Sequence, residues 1–149
     1  MPELMVGDNA PDFTAESTEG QLSLRAYRGK NVVLYFYPRD QTPGCTMESC
    51  SLRDGIENIR AYGTEVLGVS TDDLDSHNKF KARYNLNFPL IADPDFNISR
   101  AFGIFNEDRK ASRRVTFVID KNGIIRHIFP KVDVNAHADE IITVLKSMK

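Results

Sequence analysis

No tryptophan occurs in this chain of 149 residues, and cysteine occurs only at Cys45 and Cys50. Thiols this few and this close exclude a disulfide-stapled secreted scaffold, because a bridge that closes so short a loop stabilises little. Histidine is also scarce: His77, His127 and His137 lack the close spacing of a zinc site. Neither sign of charge dominates. The 19 basic and 21 acidic side chains leave a net charge of −2, with both signs interspersed. No basic block points to nucleic acid, and no acidic tail points to disorder. No apolar run approaches the roughly 18 residues of a membrane span, and the N-terminus shows no secretion signal. Nucleic acid and membrane are therefore not expected partners, and a cytoplasmic location is the default expectation.

What is present is ordinary for a globular chain, with 41% apolar and 27% charged residues. Residues 1–149 are expected to form one domain that buries roughly 70% of its unfolded surface. Phe13 to Leu24 alternates around Thr18–Gly20 and predicts an N-terminal hairpin, followed by a helical turn that ends at Gly29. Asn31–Tyr37 is a near-continuous apolar run, as in a central strand covered on both faces. A helix is predicted from Pro43 to Tyr62, with Gly63 as its stop.

Further on, Glu65–Ser70 predicts a strand, Asp73 to Tyr84 a helix, Phe88–Ala92 a strand and Ile98–Phe102 a short helix. Arg114–Asp120 and Ile124–Phe129 flank the turn Lys121–Gly123. A last helix carries Ala138, Ile141, Ile142, Leu145 and Met148 on one face. The order implies an α/β sandwich around a mixed sheet. Asn106–Arg113, the most polar stretch, is expected to be an exposed loop, and each histidine to face solvent or, for His137, to cap a helix. Phe80, Phe102 and Phe105 are expected in the core. Asp72, Asp73, Asp93 and Asp95 are expected as turn and cap residues.

The chemistry gathers at Cys45. It follows a buried strand and the helix opener Pro43–Gly44, so it falls in the first helical turn. There the backbone N–H groups are unpaired and the helix dipole favours a thiolate, the reactive form of cysteine. Thr42 lies close enough for its hydroxyl to reach the sulfur or a bound oxygen, and Pro38 can wall off one side of the pocket. A guanidinium from Arg113 or Arg114 on a neighbouring strand completes a setting for a nucleophile.

The spacing Pro38-x-x-x-Thr42-x-x-Cys45 resembles the active-site signature of the peroxiredoxins. The longer run from Tyr35 to Cys50 is similar to the bacterioferritin-comigratory-protein branch, also called peroxiredoxin Q. The resemblance extends through Ala10–Phe13, Leu67–Ser70, Phe88–Leu90, Arg114–Asp120 and His137–Ala138. It implies a thioredoxin-like fold with an N-terminal hairpin extension. It also implies that Cys45 is the peroxidatic cysteine, Cys50 the resolving one, and Pro38 and Thr42 the pocket. The family pattern selects Arg114 over Arg113 as the activating arginine, and strand alternation agrees that only one can face the pocket. Glu48 matches a position that often pairs with an arginine. In place of a longer, glycine- and tyrosine-containing approach to the arginine strand, this chain has the short charged segment Phe105–Arg113, which bears on peroxide size.

The implied reaction is reduction of hydrogen peroxide and organic hydroperoxides through a Cys45 sulfenic acid and a Cys45–Cys50 disulfide. Thioredoxin or a similar dithiol would recycle it. No metal, haem or flavin cofactor is implied, since sulfur does the redox work, and the chain is expected to be a monomer or weak dimer. In one regular helix, positions 45 and 50 lie about 9 Å apart at Cα, beyond the ~7 Å limit for a disulfide. Local unwinding of the helix is therefore expected. Two alternatives share the chemistry in part. One is a redox sensor that signals through the same disulfide. The other is a dithiol–disulfide oxidoreductase, which would want C-x-x-C where this chain has C-x4-C.

Overall fold

A computed structural model describes residues 4–148. The described chain runs β1 (Thr14–Ser17), β2 (Gly20–Ser23), a 3₁₀ turn (Leu24–Tyr27) and β3 (Asn31–Phe36). Then come α1 (Pro43–Arg60), β4 (Thr64–Ser70), α2 (Leu74–Tyr84), β5 (Leu90–Ala92) and α3 (Asn97–Ala101). The short strands β6 (Phe105–Asn106) and β7 (Ala111–Ser112) precede β8 (Val115–Ile119), β9 (Ile125–Phe129) and α4 (His137–Ser147). The main sheet has seven strands in the order β2-β1-β5-β4-β3-β8-β9. β3, β4 and β5 are parallel, and β8 and β9 extend the sheet antiparallel on the β3 side. The N-terminal hairpin closes the far edge, with Ser17 opposite Ile91.

Strand β3 is central because its side chains are apolar on both faces. Val33 and Tyr35, with Tyr37 beyond the strand end, pack beneath α1, α2 and α4 together with Leu52, Ile56, Phe80 and Ile141. Val32, Leu34 and Phe36 pack the opposite way, against Ile98, Phe102 and Phe117. A side-chain period of two thus feeds two core layers. Each fully buried aliphatic or aromatic side chain contributes roughly 1.5–3 kcal/mol. Helices α1 and α4 touch closely at Gly55, where a Cβ would come 2.5 Å from the Ala138 Cβ. That contact sets α4 against the helix that carries both cysteines.

Three expectations need correction. Asn106–Arg113 is not an exposed loop throughout: residues 107–110 are exposed, but Ala111 and Ser112 are buried in a two-stranded ribbon with Phe105 and Asn106. The Ser112 hydroxyl lies 2.7 Å from that of Ser99, which binds the buried Asp93 at the start of α3. His77 and His137 do not face solvent; both are 0% exposed. Phe105 is half-buried, stacked on Phe96 beneath Arg100 rather than placed in a core layer. Among the described residues, no helix is long and apolar enough to cross a membrane.

Candidate active site

Strand β3 ends at Phe36, and the loop Tyr37–Thr42 carries the chain to α1. Thr42 is the helix N-cap and Pro43 the first helical residue, where the missing N–H of proline costs nothing. The Thr46 N–H bonds the Thr42 carbonyl at 2.8 Å, so the N–H groups of Gly44 and Cys45 lie before the first intrahelical bond. Cys45 is therefore the third residue of α1, at its positive pole, and it is buried.

A cation meets it there. Arg114, just before β8, donates from Nη2 to Cys45 Sγ at 3.3 Å and from Nη1 to Glu48 Oε1 at 2.6 Å. Gly44 makes room for this fork: a Cβ there would come 3.1 Å from Arg114 Nη2. Glu48 and Cys45 share one face of α1 at i and i+3, so a single guanidinium reaches both. Burial lowers the Arg114 pKa, but the Glu48 carboxylate and the Cys45 sulfur outweigh it, and the net shift is upward. The guanidinium stays charged.

Glu48 is wholly buried. Burial pushes its carboxyl up to about 7, although Arg114 pulls the other way. Its Oε2 has no hydrogen-bond partner and lies 3.9 Å from His137 Nε2. His137 is held from both sides, by Thr116 Oγ1 at 2.8 Å and by Glu140 Oε1 at 2.9 Å. Burial lowers its pKa, against the opposing pull of Glu140. The ring therefore favours its neutral form, which leaves Arg114 as the charged partner of Glu48.

Pro38, Thr42 and Cys50, the other expected residues, flank Cys45 along the chain. Pro38 is half-buried in the loop that follows β3. The Thr42 hydroxyl donates to the Arg39 carbonyl at 3.0 Å rather than to the sulfur. Its single proton is thus committed, and its oxygen is left as an acceptor. Cys50 is half-buried on the same uninterrupted helix, and both cysteines are free thiols.

The AhpC/TSA family profile matches residues 6–128. The chain belongs to the AhpC/TSA family. It is 42% identical over 144 residues to a Bcp protein of Coxiella burnetii, covering 92% of this chain and 95% of the relative. It is 38% identical over 150 residues to peroxiredoxin Bcp of Bacillus subtilis, covering 96% of each. Among solved structures, a cysteine-to-serine mutant of Xylella fastidiosa PrxQ matches with a TM-score of 0.92 and 28% identity over 99% of both chains. The fold is accordingly the thioredoxin-type fold of the peroxiredoxins, and the chain sits with their Bcp and Q branch.

In this peroxiredoxin the structure separates two arginines that sequence alone leaves side by side. Arg114 turns to Cys45, whereas Arg113 is exposed and donates to the Gly103 carbonyl at 2.8 Å. Tyr35 and Tyr37 are buried core residues, and burial raises the pKa of each well above that of a free phenol. Asp73 caps α2 and Asp93 caps α3 through their backbone N–H groups, as turn residues do. His137 was expected as a cap or a solvent-facing residue, and its burial behind Glu48 is a correction. The missed signal was spacing: positions 137, 141 and 145 share a helix face, and so do 77, 80 and 84.

Asp40, Asp72 and His77 bring ligand atoms within 4.8 Å of one another, the nearest approach to a cation site among the described residues. Hydrogen-bond donors already occupy it. Tyr37 and Ser76 donate to Asp40, while Ser70 and the Asp40 N–H donate to Asp72. The group reads as a proton-bearing network rather than a set of open ligands.

Proposed function

We propose that this peroxiredoxin reduces hydrogen peroxide and organic hydroperoxides at Cys45, with Cys50 as the resolving thiol and thioredoxin or a similar dithiol as reductant. The observation that carries the reading is the Arg114 guanidinium, bonded at once to Cys45 Sγ and Glu48 at the positive end of α1. The Cys45 thiolate attacks the terminal oxygen of the hydroperoxide. An S–O bond forms, the O–O bond breaks, and the alkoxide or hydroxide leaves and takes up a proton. Thr42 accepts the peroxide O–H, since its own proton is given to Arg39. Arg114 stabilises charge on the departing oxygen. Pro38 bounds the pocket, and Glu48 fixes the guanidinium from behind.

The product is a Cys45 sulfenic acid. The Cys50 thiol attacks its sulfur, forming the S–S bond and releasing water. In α1 as it stands, the two residues belong to one helix, so this step requires its first turns to unwind. The dithiol reductant then takes the disulfide by exchange and is itself oxidised. A recycled cysteine pair suits a reducing compartment such as the cytoplasm.

The test is a peroxidase assay with a thioredoxin system on wild type, Cys45→Ser and Cys50→Ser, with mass spectrometry of trapped species. Cys45→Ser should lose activity, and Cys50→Ser should accumulate sulfenic acid. Multiple rapid turnover supports the enzyme, whereas a single oxidation without recycling would instead indicate a sensor. Unchanged turnover in Cys45→Ser would end the proposal.

A further inference from the structure

The loop from Pro38 to Thr42 leads into the helix start that carries Cys45, yet it is anchored away from Cys45, on α2. Asp40 sits midway along it, with a side chain only 2% exposed. Its Oδ1 accepts the Tyr37 hydroxyl at 2.6 Å. Its Oδ2 accepts the Ser76 hydroxyl at 2.8 Å and faces His77 Nδ1 at 2.7 Å. The Asp40 N–H donates to Asp72 Oδ2 at 2.8 Å. Ser76 and His77 both belong to the first turn of α2, whose start is held by the Asp73 cap.

The protons of this group follow from its acceptors. His77 Nε2 lies 2.9 Å from the Ile91 carbonyl, which can only accept, so Nε2 carries a proton. Nδ1 faces a carboxylate oxygen, another acceptor, so a second proton lies between Nδ1 and Asp40 Oδ2. The ring is 0% exposed. A buried pair bonded at every polar atom is one in which loss of either partner is felt strongly.

The loop needs such an anchor. Gln41, between Asp40 and Thr42, has φ of 61°, in the left-handed region that a residue with a Cβ enters only under constraint. This turn brings the Thr42 hydroxyl onto the Arg39 carbonyl. We propose that the buried Asp40–His77 pair is a clamp that holds the Pro38–Thr42 loop in its turn and so aims the Thr42 oxygen at the peroxide. Neither residue hydrogen-bonds to Cys45 or Arg114, so both are positioning residues. The inference rests on the peroxidase reading above.

The test compares two reactions of Cys45 in the full chain of wild type, Asp40→Asn and His77→Gln. One is stopped-flow oxidation by hydrogen peroxide. The other is alkylation by iodoacetamide, which uses the sulfur and its Arg114 contact but not the Thr42 oxygen. A misaimed pocket should slow peroxide oxidation by about tenfold in both variants, with alkylation kept within about twofold. Thr42→Val should cost little more in the Asp40→Asn background than the aspartate change alone, because the two act through one oxygen. Should circular dichroism show that either variant fails to fold, Ser76→Ala removes a single donor and should slow peroxide oxidation by about threefold. Peroxide rates equal to wild type in the folded variants would overturn the clamp. A parallel fall in both reactions would also overturn it, since that marks general damage to the site. A wild type that reacts with peroxide no faster than a free thiol would defeat the peroxidase reading itself, and the clamp with it.

Discussion

The two halves of α1 are buried by different physics. From Pro43 to Cys50 the helix buries Cys45, Glu48 and Ser49: a thiol, a carboxyl and a hydroxyl. From Ser51 to Arg60 it buries Leu52, Ile56 and Ile59. The first half is held by directed bonds, Arg114 to Cys45 and Glu48, and Tyr35 Oη to Ser49 Oγ at 2.9 Å. The second is held by apolar contact and by the close approach of Gly55 to Ala138. Of the first half only Cys45 also joins the apolar cluster of Leu52, Ile56 and Ile59, so breaking these directed bonds leaves most of that core in place. If the proposed disulfide forms, the contrast would confine the unwinding to the stretch between Cys45 and Cys50 and leave the helix intact from Leu52 onward.

Arg114→Ala tests the polar half most severely. Oxidation of Cys45 by hydrogen peroxide should slow roughly 10²–10³-fold, the effect of removing a preorganised donor from a site of developing charge. Stopped-flow kinetics reads this, and a loss below tenfold would detach the arginine from the chemistry. In the apolar half, Leu52→Ala should lower global stability by about 2–5 kcal/mol in urea denaturation, as for a buried leucine. The peroxide rate of the folded variant should stay within about threefold of wild type, because no bond to the sulfur changes. A large rate loss there would mean that the two halves do not act separately.

Glu48 offers a sharper division. Its carboxyl titrates near 7 in the fold, against 4.5 for an ordinary glutamate. A raised folded-state pKa contributes stability that is fully present below the unfolded value and is lost as pH rises through the folded one. Between pH 4.5 and 7 the polar half should therefore weaken, by on the order of 3 kcal/mol once Glu48 is fully ionised. Hydrogen exchange of the amides from Cys45 to Cys50 should show this slope in wild type and a flatter one in Glu48→Gln. Identical slopes would remove Glu48 as the cause. The smallest effect is expected from Ser49→Ala, about 1 kcal/mol through the lost bond to Tyr35. It should appear as faster exchange in the first half alone; an equal change in both halves would break the contrast.

Much of this was legible along the chain. The apolar run of β3, the Pro43–Gly44 opening of α1 and the turn at Lys121–Gly123 each follow from a local period or a local backbone demand. The position of Cys45 at a helix start needs no more than that. The pairing of Arg114 with Cys45 lay partly within reach, because alternation allows only one of two adjacent arginines to face a given side.

Other features belong to no local pattern. The helical spacing of His77 and His137 puts each on an apolar face, yet which groups they meet there, Asp40 and Glu48, follows only from the packing of α2 and α4 onto the sheet. Ala111 and Ser112 sit in a charged stretch, yet the ribbon with β6 carries them inward. Periodicity tells which face of an element is apolar, whereas the layer that covers that face is chosen by contacts between residues far apart in the chain. The amino-acid order thus decided where the Cys45 thiol would stand and at which helix end. Assembly of the layers decided which cation, carboxyl and imidazole would stand around it, because those groups meet only when distant elements pack together.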